Sequence, residues 1–93
     1  MEITDVKLSI RNEPKLKGFA NITFDQSFVV RGLKIIDSGR GLFVSMPSKK
    51  RPGGGFQDIA HPINSDMRRI IEQTVLNAYY REVGKDQDQQ VPK

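Results

Sequence analysis

The sequence predicts an α+β domain in which an antiparallel β-sheet of four to five strands is followed by one C-terminal helix. Three observations lead to this fold class. Apolar and polar residues alternate in the first half of the chain, turn residues separate the alternating stretches, and one long stretch with helical periodicity follows. The 93 residues suit one domain. We therefore predict a single domain over residues 1–84 and a disordered polar tail over residues 85–93.

The first two strands are predicted from alternation with a period of two residues. Apolar and polar side chains alternate over residues 6–10, as expected for a strand with one buried and one solvated face. Residues 12–14, Asn-Glu-Pro, break the pattern as a turn. The same alternation returns over residues 20–24. The short polar connection favours an antiparallel hairpin.

Two further strands follow in the same half of the chain. Residues 28–36 form an apolar stretch that contains Gly32, and an isolated glycine within a strand often marks a bulge or bend. Residues 37–41, Asp-Ser-Gly-Arg-Gly, predict a turn. The fourth strand covers residues 42–46 and ends at Pro47.

Residues 48–55 contain three glycines and a proline, and this composition predicts a mobile loop without regular structure. Residues 56–60 are a short strand candidate, which His61 and Pro62 close. The helix is then predicted from Ser65 to about Val83.

Asn64 or Ser65 can cap this helix, Asp66 suits the helix dipole in the first turn, and Gly84 is the predicted C-terminal stop. The predicted apolar face of the helix consists of Met67, Ile70, Ile71, Thr74, Val75, Ala78 and Tyr79.

Composition limits the classes of function. The net charge of +4 favours anionic partners such as nucleic acid. The absence of cysteine excludes disulfides and cysteine-based metal sites, and no apolar run reaches the roughly 20 residues of a membrane span. The acidic, alternating N-terminus does not resemble a signal peptide, so we expect a cytoplasmic protein. One helix covers only one face of a sheet, and exposed edge strands need protection, so we also expect a homodimer.

Three consecutive cations, Lys49, Lys50 and Arg51, lie in the predicted loop. A flexible cationic loop can follow a phosphate backbone, where each contact releases condensed counterions. A basic triplet is a weak motif, however, and by itself it is more often a solvated surface loop.

Arg68 and Arg69 lie at the predicted helix start, where positive charge opposes the helix dipole. Residues that work against local preference hint at function, and arginine offers a planar fork to phosphate or to guanine. The structural alternative is that Arg68 pairs with Glu72 and that Arg69 faces solvent.

The remaining cations and aromatic residues allow more than one interpretation. Arg31, Lys34 and Arg40 could extend a basic surface, whereas those of the first hairpin could simply solubilise an edge strand. Base stacking on the aromatic rings is conceivable, but packing at a dimer interface or under the helix is the preferred interpretation. The rings concerned are those of Phe19, Phe43 and Phe56.

His61, the single histidine, could in principle pair with Asp58 and a serine. No nucleophile motif accompanies it, and a metal site would need more ligands. We interpret His61 as a local hydrogen-bonding residue of the turn before the helix, and we predict no catalytic residue and no metal site.

Three segments carry a family resemblance. Residues 41–50, GLFVSMPSKK, look like the central signature of the stage V sporulation protein G family, and residues 56–64, FQDIAHPIN, look like its second signature. The opening residues 1–6, MEITDV, are also similar. The resemblance covers roughly residues 1–83.

This resemblance implies a small bacterial protein that binds DNA, and in some members RNA, and that regulates processes named after sporulation and septation. It implies a β-sheet with a C-terminal helix, a homodimer and no enzymatic activity, so we expect no cofactor, no membrane association and no small-molecule substrate. The alternative is a protein-interaction module that binds an acidic protein partner. The family's nucleic-acid contacts would fall on Lys49, Lys50, Arg51, Arg68 and Arg69.

Overall fold

A computed structural model describes residues 1–90 of the protein, with side chains as far as residue 84. A four-stranded antiparallel sheet has the order β1-β2-β3-β4, and a separate two-stranded sheet pairs β5 with β6. The predicted α+β class, with one C-terminal helix, is confirmed. The elements are β1 (Ile3–Ile10), β2 (Leu16–Phe24), β3 (Phe28–Asp37), β4 (Leu42–Ser45), β5 (Ser48–Lys50), β6 (Phe56–Asp58) and α1 (Ser65–Gln90).

One face of the four-stranded sheet, here called the inner face, packs against α1. Ala20 of β2 lies opposite Leu33 of β3, and Val44 of β4 lies opposite Ile35. The alternation seen in the sequence therefore directs one set of apolar side chains towards the helix. The buried core consists of Ala20, Ile22, Phe24, Leu33, Ile35, Val44, Met46, Ile71 and Val75.

The opposite face, here called the outer face, carries the other set of side chains. Phe19 of β2 lies between Ser9 of β1 and Lys34 of β3, and Phe43 lies opposite Ile36. Because these residues alternate with core residues, they point away from α1. Of the two placements expected for Phe19 and Phe43, the one under the helix is therefore wrong, whereas the one at a dimer interface stays a prediction.

The bulge predicted at Gly32 is present. The β2–β3 register changes from Ala20 opposite Leu33 to Ile22 opposite Val30. Gly32 has a φ of 86°, a backbone conformation that side chains with a Cβ rarely adopt. The Gly32 N–H, displaced from the ladder, donates to Oδ1 of Asn21 at 3.1 Å. A side chain thus satisfies the backbone donor that the bulge frees.

The β2–β3 hairpin turns through two residues of positive φ, Asp25 at 51° and Gln26 at 55°. The Ser27 N–H donates to the carbonyl of Phe24 at 2.9 Å. This is a type I′ turn, whose twist matches that of the flanking strands.

Asn64 caps α1, as one of the two predicted alternatives. Its Oδ1 accepts a hydrogen bond from the Met67 N–H at 2.7 Å, so the side chain satisfies one of the orphan donors of the first turn. Ile71 and Val75 then place the helix on the inner face. Ile70, which was predicted on the apolar face, is 45% exposed because it lies at the margin of that stripe.

The predicted helix end at Gly84 is wrong, because α1 continues to Gln90. Gly84 lacks the positive φ of a C-terminal cap, and the residues after it include lysine and glutamines, which favour helix. The proposed division into a domain of residues 1–84 and a disordered tail stays a prediction. Residues 91–93 of that tail lie outside the described residues. Among the helices of residues 1–90, none is long and apolar enough to cross a membrane.

The prediction that residues 48–55 lack regular structure is also wrong. Ser48 pairs with Asp58 and Lys50 with Phe56, so a short hairpin forms. Its turn is closed by two backbone hydrogen bonds, from Gly54 to the carbonyl of Arg51 at 3.1 Å and from Arg51 to the carbonyl of Gly55 at 2.9 Å. The glycines and the proline fall within the turn, and the residues before them remain free to pair. β6 ends at Asp58, two residues earlier than expected.

Candidate nucleic-acid interface

The β5–β6 hairpin carries three of the cations predicted to contact nucleic acid. Lys49 and Lys50 lie on β5, Arg51 opens the turn, and all three are exposed. Successive side chains of a strand point to opposite faces, so Lys49 and Lys50 present positive charge on both sides of the hairpin. A strand followed by a tight turn thus replaces the predicted flexible loop as the carrier of this charge.

The hairpin is attached to the sheet through Pro47. This residue is buried, and its carbonyl accepts a hydrogen bond from the Ile59 N–H at 2.7 Å. The bond closes the base of the hairpin, where the chain leaves β4 and returns towards the helix. Neither β5 nor β6 pairs with the four-stranded sheet within the described part of the chain. The cations therefore lie on a small sheet of their own.

The helix start carries the other two predicted cations, Arg68 and Arg69. The Arg69 Nη2 donates to Asp66 Oδ1 at 2.9 Å, and their side chains are 63% and 79% exposed. The predicted pair between Arg68 and Glu72 is absent from the ion pairs of residues 1–84. Arg69, which was expected to face solvent alone, is thus paired, whereas Arg68 is exposed.

The two groups of cations flank one connection. Residues 59–64 lead from the end of β6 to the start of α1, so the chain places one group on either side of a six-residue segment. No hydrogen bond or ion pair joins the groups within the part of the chain whose side chains are described. Hairpin and helix start are therefore two separate exposed basic sites, close along the chain.

His61 lies in that connection and makes the local contact that was predicted. Its Nδ1 lies 2.9 Å from the Pro62 carbonyl oxygen, which accepts the hydrogen bond, so Nδ1 carries the proton. Over the described residues, no three histidine or carboxylate side chains are grouped as metal ligands.

An apolar cavity of about 180 Å³ opens between the inner face and the helix start. Phe28 at its rim is 65% exposed, and Ile63, which follows the lining residue Pro62 in the chain, is 92% exposed. This cavity was not predicted from the sequence. The lining consists of Met1, Ile22, Phe24, Phe28, Val30, Leu33, Met46, Ala60, His61, Pro62, Met67 and Ile71.

The outer face holds a further group of cations and rings. The Arg11 guanidinium carbon lies 5.4 Å from the centroid of the Phe19 ring, within the range of a cation–π contact. Lys34 is exposed on the other side of Phe19, and Phe43 is 41% exposed. Lys34 therefore belongs to a basic surface, as one interpretation of the sequence allowed, but the surface is that of the sheet.

The family model described as SpoVG matches residues 1–81. Three curated relatives carry the name "Putative septation protein SpoVG". The protein from Anaeromyxobacter sp. (strain K) is 52% identical over 85 residues, covering 91% of this chain and 84% of that protein. The protein from Clostridium beijerinckii is 47% identical over 87 residues, covering 92% and 96%. The protein from Oceanobacillus iheyensis is 50% identical over 88 residues, covering 94% and 91%.

Proposed function

Because the chain belongs to the SpoVG family, we propose that it is a non-enzymatic regulator that binds DNA and RNA as a cytoplasmic homodimer. The names of its relatives support a role connected with septation. The observation that carries the proposal is the β5–β6 hairpin, which presents Lys49, Lys50 and Arg51 to solvent. None of these three cations has a carboxylate partner among the ion pairs of the described residues.

Charge that is not neutralised within the protein is available to phosphates. A protein that neutralises phosphates releases their condensed counterions, so affinity falls steeply with salt. Arg68 lies in the first turn of α1 and supplies a guanidinium that can bind two phosphate oxygens at once. The hairpin and the helix start together give each protomer two points of contact with a polyanion.

The proposed homodimer is supported by the apolar cavity and its rim. Phe28 is 65% exposed and lines the opening of the cavity, which is itself largely apolar. Such a contiguous patch is unusual on a monomeric protein and is typical of an interface. A two-fold dimer would present two copies of each basic site to one nucleic acid.

Fluorescence anisotropy tests the nucleic-acid assignment. Duplex DNA and single-stranded RNA are titrated at several salt concentrations with the wild type and with a variant in which Lys49, Lys50 and Arg51 are alanine. We expect weaker binding to every sequence and a salt slope shallower by up to about 2.7 on DNA, about 0.9 for each lost contact. The control replaces Lys15, Arg31 and Arg40, three exposed cations outside the hairpin, by alanine.

The outcomes distinguish the assignments. Equal losses of affinity in both triple variants would show that binding depends on the net charge of the protein and not on the hairpin. Wild-type protein that binds neither polymer at low salt would overturn the proposal and favour an acidic protein partner.

Sedimentation velocity tests the dimer. Phe28→Asp places a charge on the exposed rim and should convert the dimer to monomer without unfolding it, since Phe28 lines the cavity but is 65% exposed. Ile59→Asp is the matched control, because Ile59 is 67% exposed, much like Phe28, but does not line the cavity. A wild type that sediments as a monomer at all concentrations would contradict the dimer.

A further inference from the structure

We propose that the outer face of the four-stranded sheet is a separate binding surface for single-stranded nucleic acid, with Phe19 as the stacking platform and Lys34 as a phosphate contact. This inference rests on the proposed nucleic-acid function and assigns to it a second site and a second class of ligand.

The register places an aromatic ring between cations. Phe19 lies directly opposite Lys34 on β3, at a Cβ separation of about 5 Å. On its other side the Arg11 guanidinium contacts the ring at 5.4 Å. Unstacked bases bind to aromatic faces and to arginine planes, while lysine neutralises the neighbouring phosphate. Arg11, just after the end of β1, and Lys34, opposite Phe19 on β3, thus bring these elements together around one ring.

A second ring extends the surface. Phe43 lies on β4, on the same face, two residues along from Ser45, which is opposite Lys34. Two strand spacings of about 4.8 Å and a two-residue rise of about 6.8 Å put the two rings about 12 Å apart. Three to four stacked nucleotides, at about 3.4 Å each, span this distance. A single strand can therefore reach from Phe19 to Phe43 while its backbone passes Lys34.

The charge of the face suits an anionic ligand. The strands bring three cations to it, Lys7, Arg11 and Lys34, against one carboxylate, Asp5. That carboxylate lies 3.7 Å from Lys7 Nζ, towards the start of β1 and away from Arg11. The centre of the face, around Phe19, therefore keeps a net positive charge.

The face is open in the described structure. The core that joins α1 to the sheet lies entirely on the inner face, and Phe43 remains 41% exposed. A second copy packed on the outer face would bring cations of one protomer against those of its partner, which is unfavourable. The apolar rim that supports the dimer lies around the cavity, on the other side of the sheet. These points favour a nucleic acid over a second copy as the occupant.

A single strand is favoured over a duplex for a physical reason. Bases of a duplex are already stacked on each other, so a ring on a sheet has no free base to stack on. Bases of a single strand are free to stack on Phe19 and Phe43, with little dependence on sequence. The exposed cations of the hairpin and helix start would contact phosphates and not bases, so they can bind a duplex or a single strand.

A fluorescent residue at the platform tests stacking directly. The chain contains no tryptophan, so Phe19→Trp introduces a single indole. We expect oligo-dT and oligo-U to quench its emission, and duplex DNA of equal length to leave it nearly unchanged. Tyr80→Trp is the matched control, because Tyr80 is an exposed aromatic residue on α1, away from both the outer face and the basic hairpin. Equal quenching of both variants, or none at Phe19→Trp despite binding, would overturn the proposal.

Affinity measurements separate this site from the hairpin. Phe19→Leu keeps an apolar side chain without a ring, and Lys34→Gln removes one charge. Each should weaken oligo-U binding about 10-fold and change duplex binding less than about 2-fold. Lys15→Gln, a loop cation, should affect neither. The triple alanine hairpin variant should instead lose most of its duplex affinity.

The possible failures are distinguishable. If the hairpin variant loses single-strand binding while Phe19→Leu and Lys34→Gln retain it, the nucleic-acid function stands and the outer-face site is overturned. If the wild type binds no nucleic acid at low salt, both proposals fail. If Phe19→Leu converts a dimer to a monomer in sedimentation, the face is an interface between copies, which also overturns the proposal.

Discussion

The guanidinium of Arg69 donates a hydrogen bond to Asp66 at 2.9 Å, one helical turn earlier. The pair lies beside Arg68 at the start of α1 and neutralises half of the positive charge that the two arginines bring to the helix start. Both partners are mostly exposed, so the pair contributes little to stability. Its main effect is on the charge that a ligand would meet.

Removal of that carboxylate should strengthen the binding of nucleic acid. Asp66→Asn leaves Arg69 free to contact a phosphate and removes a negative charge that would repel the phosphates. We expect a gain in affinity of about twofold to threefold at low salt, which decreases as salt screens the interaction. Anisotropy titrations measure it, with Glu13→Gln as a control for the same change in net charge in the β1–β2 loop. Equal gains for the two variants would contradict a local effect.

Loss of the helix cap should destabilise the protein. Asn64 accepts the Met67 N–H at 2.7 Å, so Asn64→Ala leaves that donor without its partner. We expect a loss of about 1 kcal/mol in the free energy of unfolding, and a smaller loss for Asn64→Asp, which can still cap. Urea denaturation followed by circular dichroism measures both. If the two variants lost the same amount, capping would not be the cause.

The type I′ turn should become more stable with glycine at its second position. Gln26 has a φ of 55°, which costs a residue with a Cβ more than it costs glycine. Gln26→Gly keeps the backbone N–H that donates to Thr4 Oγ1 at 2.9 Å. We expect a gain of about 0.5–1 kcal/mol in thermal or chemical denaturation. Ser27→Gly, where φ is not positive, should bring no such gain.

Alkaline pH should destabilise the fold through Tyr79. Burial raises the pKa of Tyr79 above its ordinary value of 10.0, and the neighbouring Tyr80 and Asp37 raise this pKa further. Above pH 10.0 the unfolded chain loses this proton before the folded protein does, so the free energy of unfolding falls as pH rises. Denaturation between pH 9 and pH 11 should show a shallower fall for Tyr79→Phe than for the wild type. Tyr80→Phe, at an exposed ring, should keep most of the fall.

Alternation of apolar residues predicted β1 and β2, because a strand with one buried face repeats every two residues, and apolar stretches between turn residues predicted β3 and β4. Gly32 predicted the bulge because glycine readily adopts the positive φ found there, and Asn64 predicted the helix start because its side chain can cap the first turn. The helix end was predicted wrongly because a glycine such as Gly84 can either stop a helix or lie within one. The helix-favouring residues that follow Gly84 decide between the two. β5 was missed because three glycines in a turn dominated the interpretation of the residues before them.

The candidate site was predicted only in part. Lys49, Lys50, Arg51, Arg68 and Arg69 are exposed where the sequence placed them, but their use in binding stays a prediction. The arrangement of Arg11 and Lys34 around Phe19 was not predicted, because it depends on how the strands pair and not on spacing along the chain. The Arg69–Asp66 pair competes with an equally well-spaced Arg68–Glu72 pair, and spacing alone does not choose between them.

The small size of the β5–β6 sheet has a consequence for hydrogen exchange. A hairpin of two three-residue strands contributes little stability of its own, whereas Ile22 and Leu33 lie fully buried in the larger sheet. We expect the hairpin amides to exchange through local opening, orders of magnitude faster than the amides of β2 and β3. The cations of the hairpin therefore lie on an independently opening unit, whose closed form a bound polyanion would protect from exchange. Ligand binding would be visible there as slowed exchange even where the rest of the fold shows none.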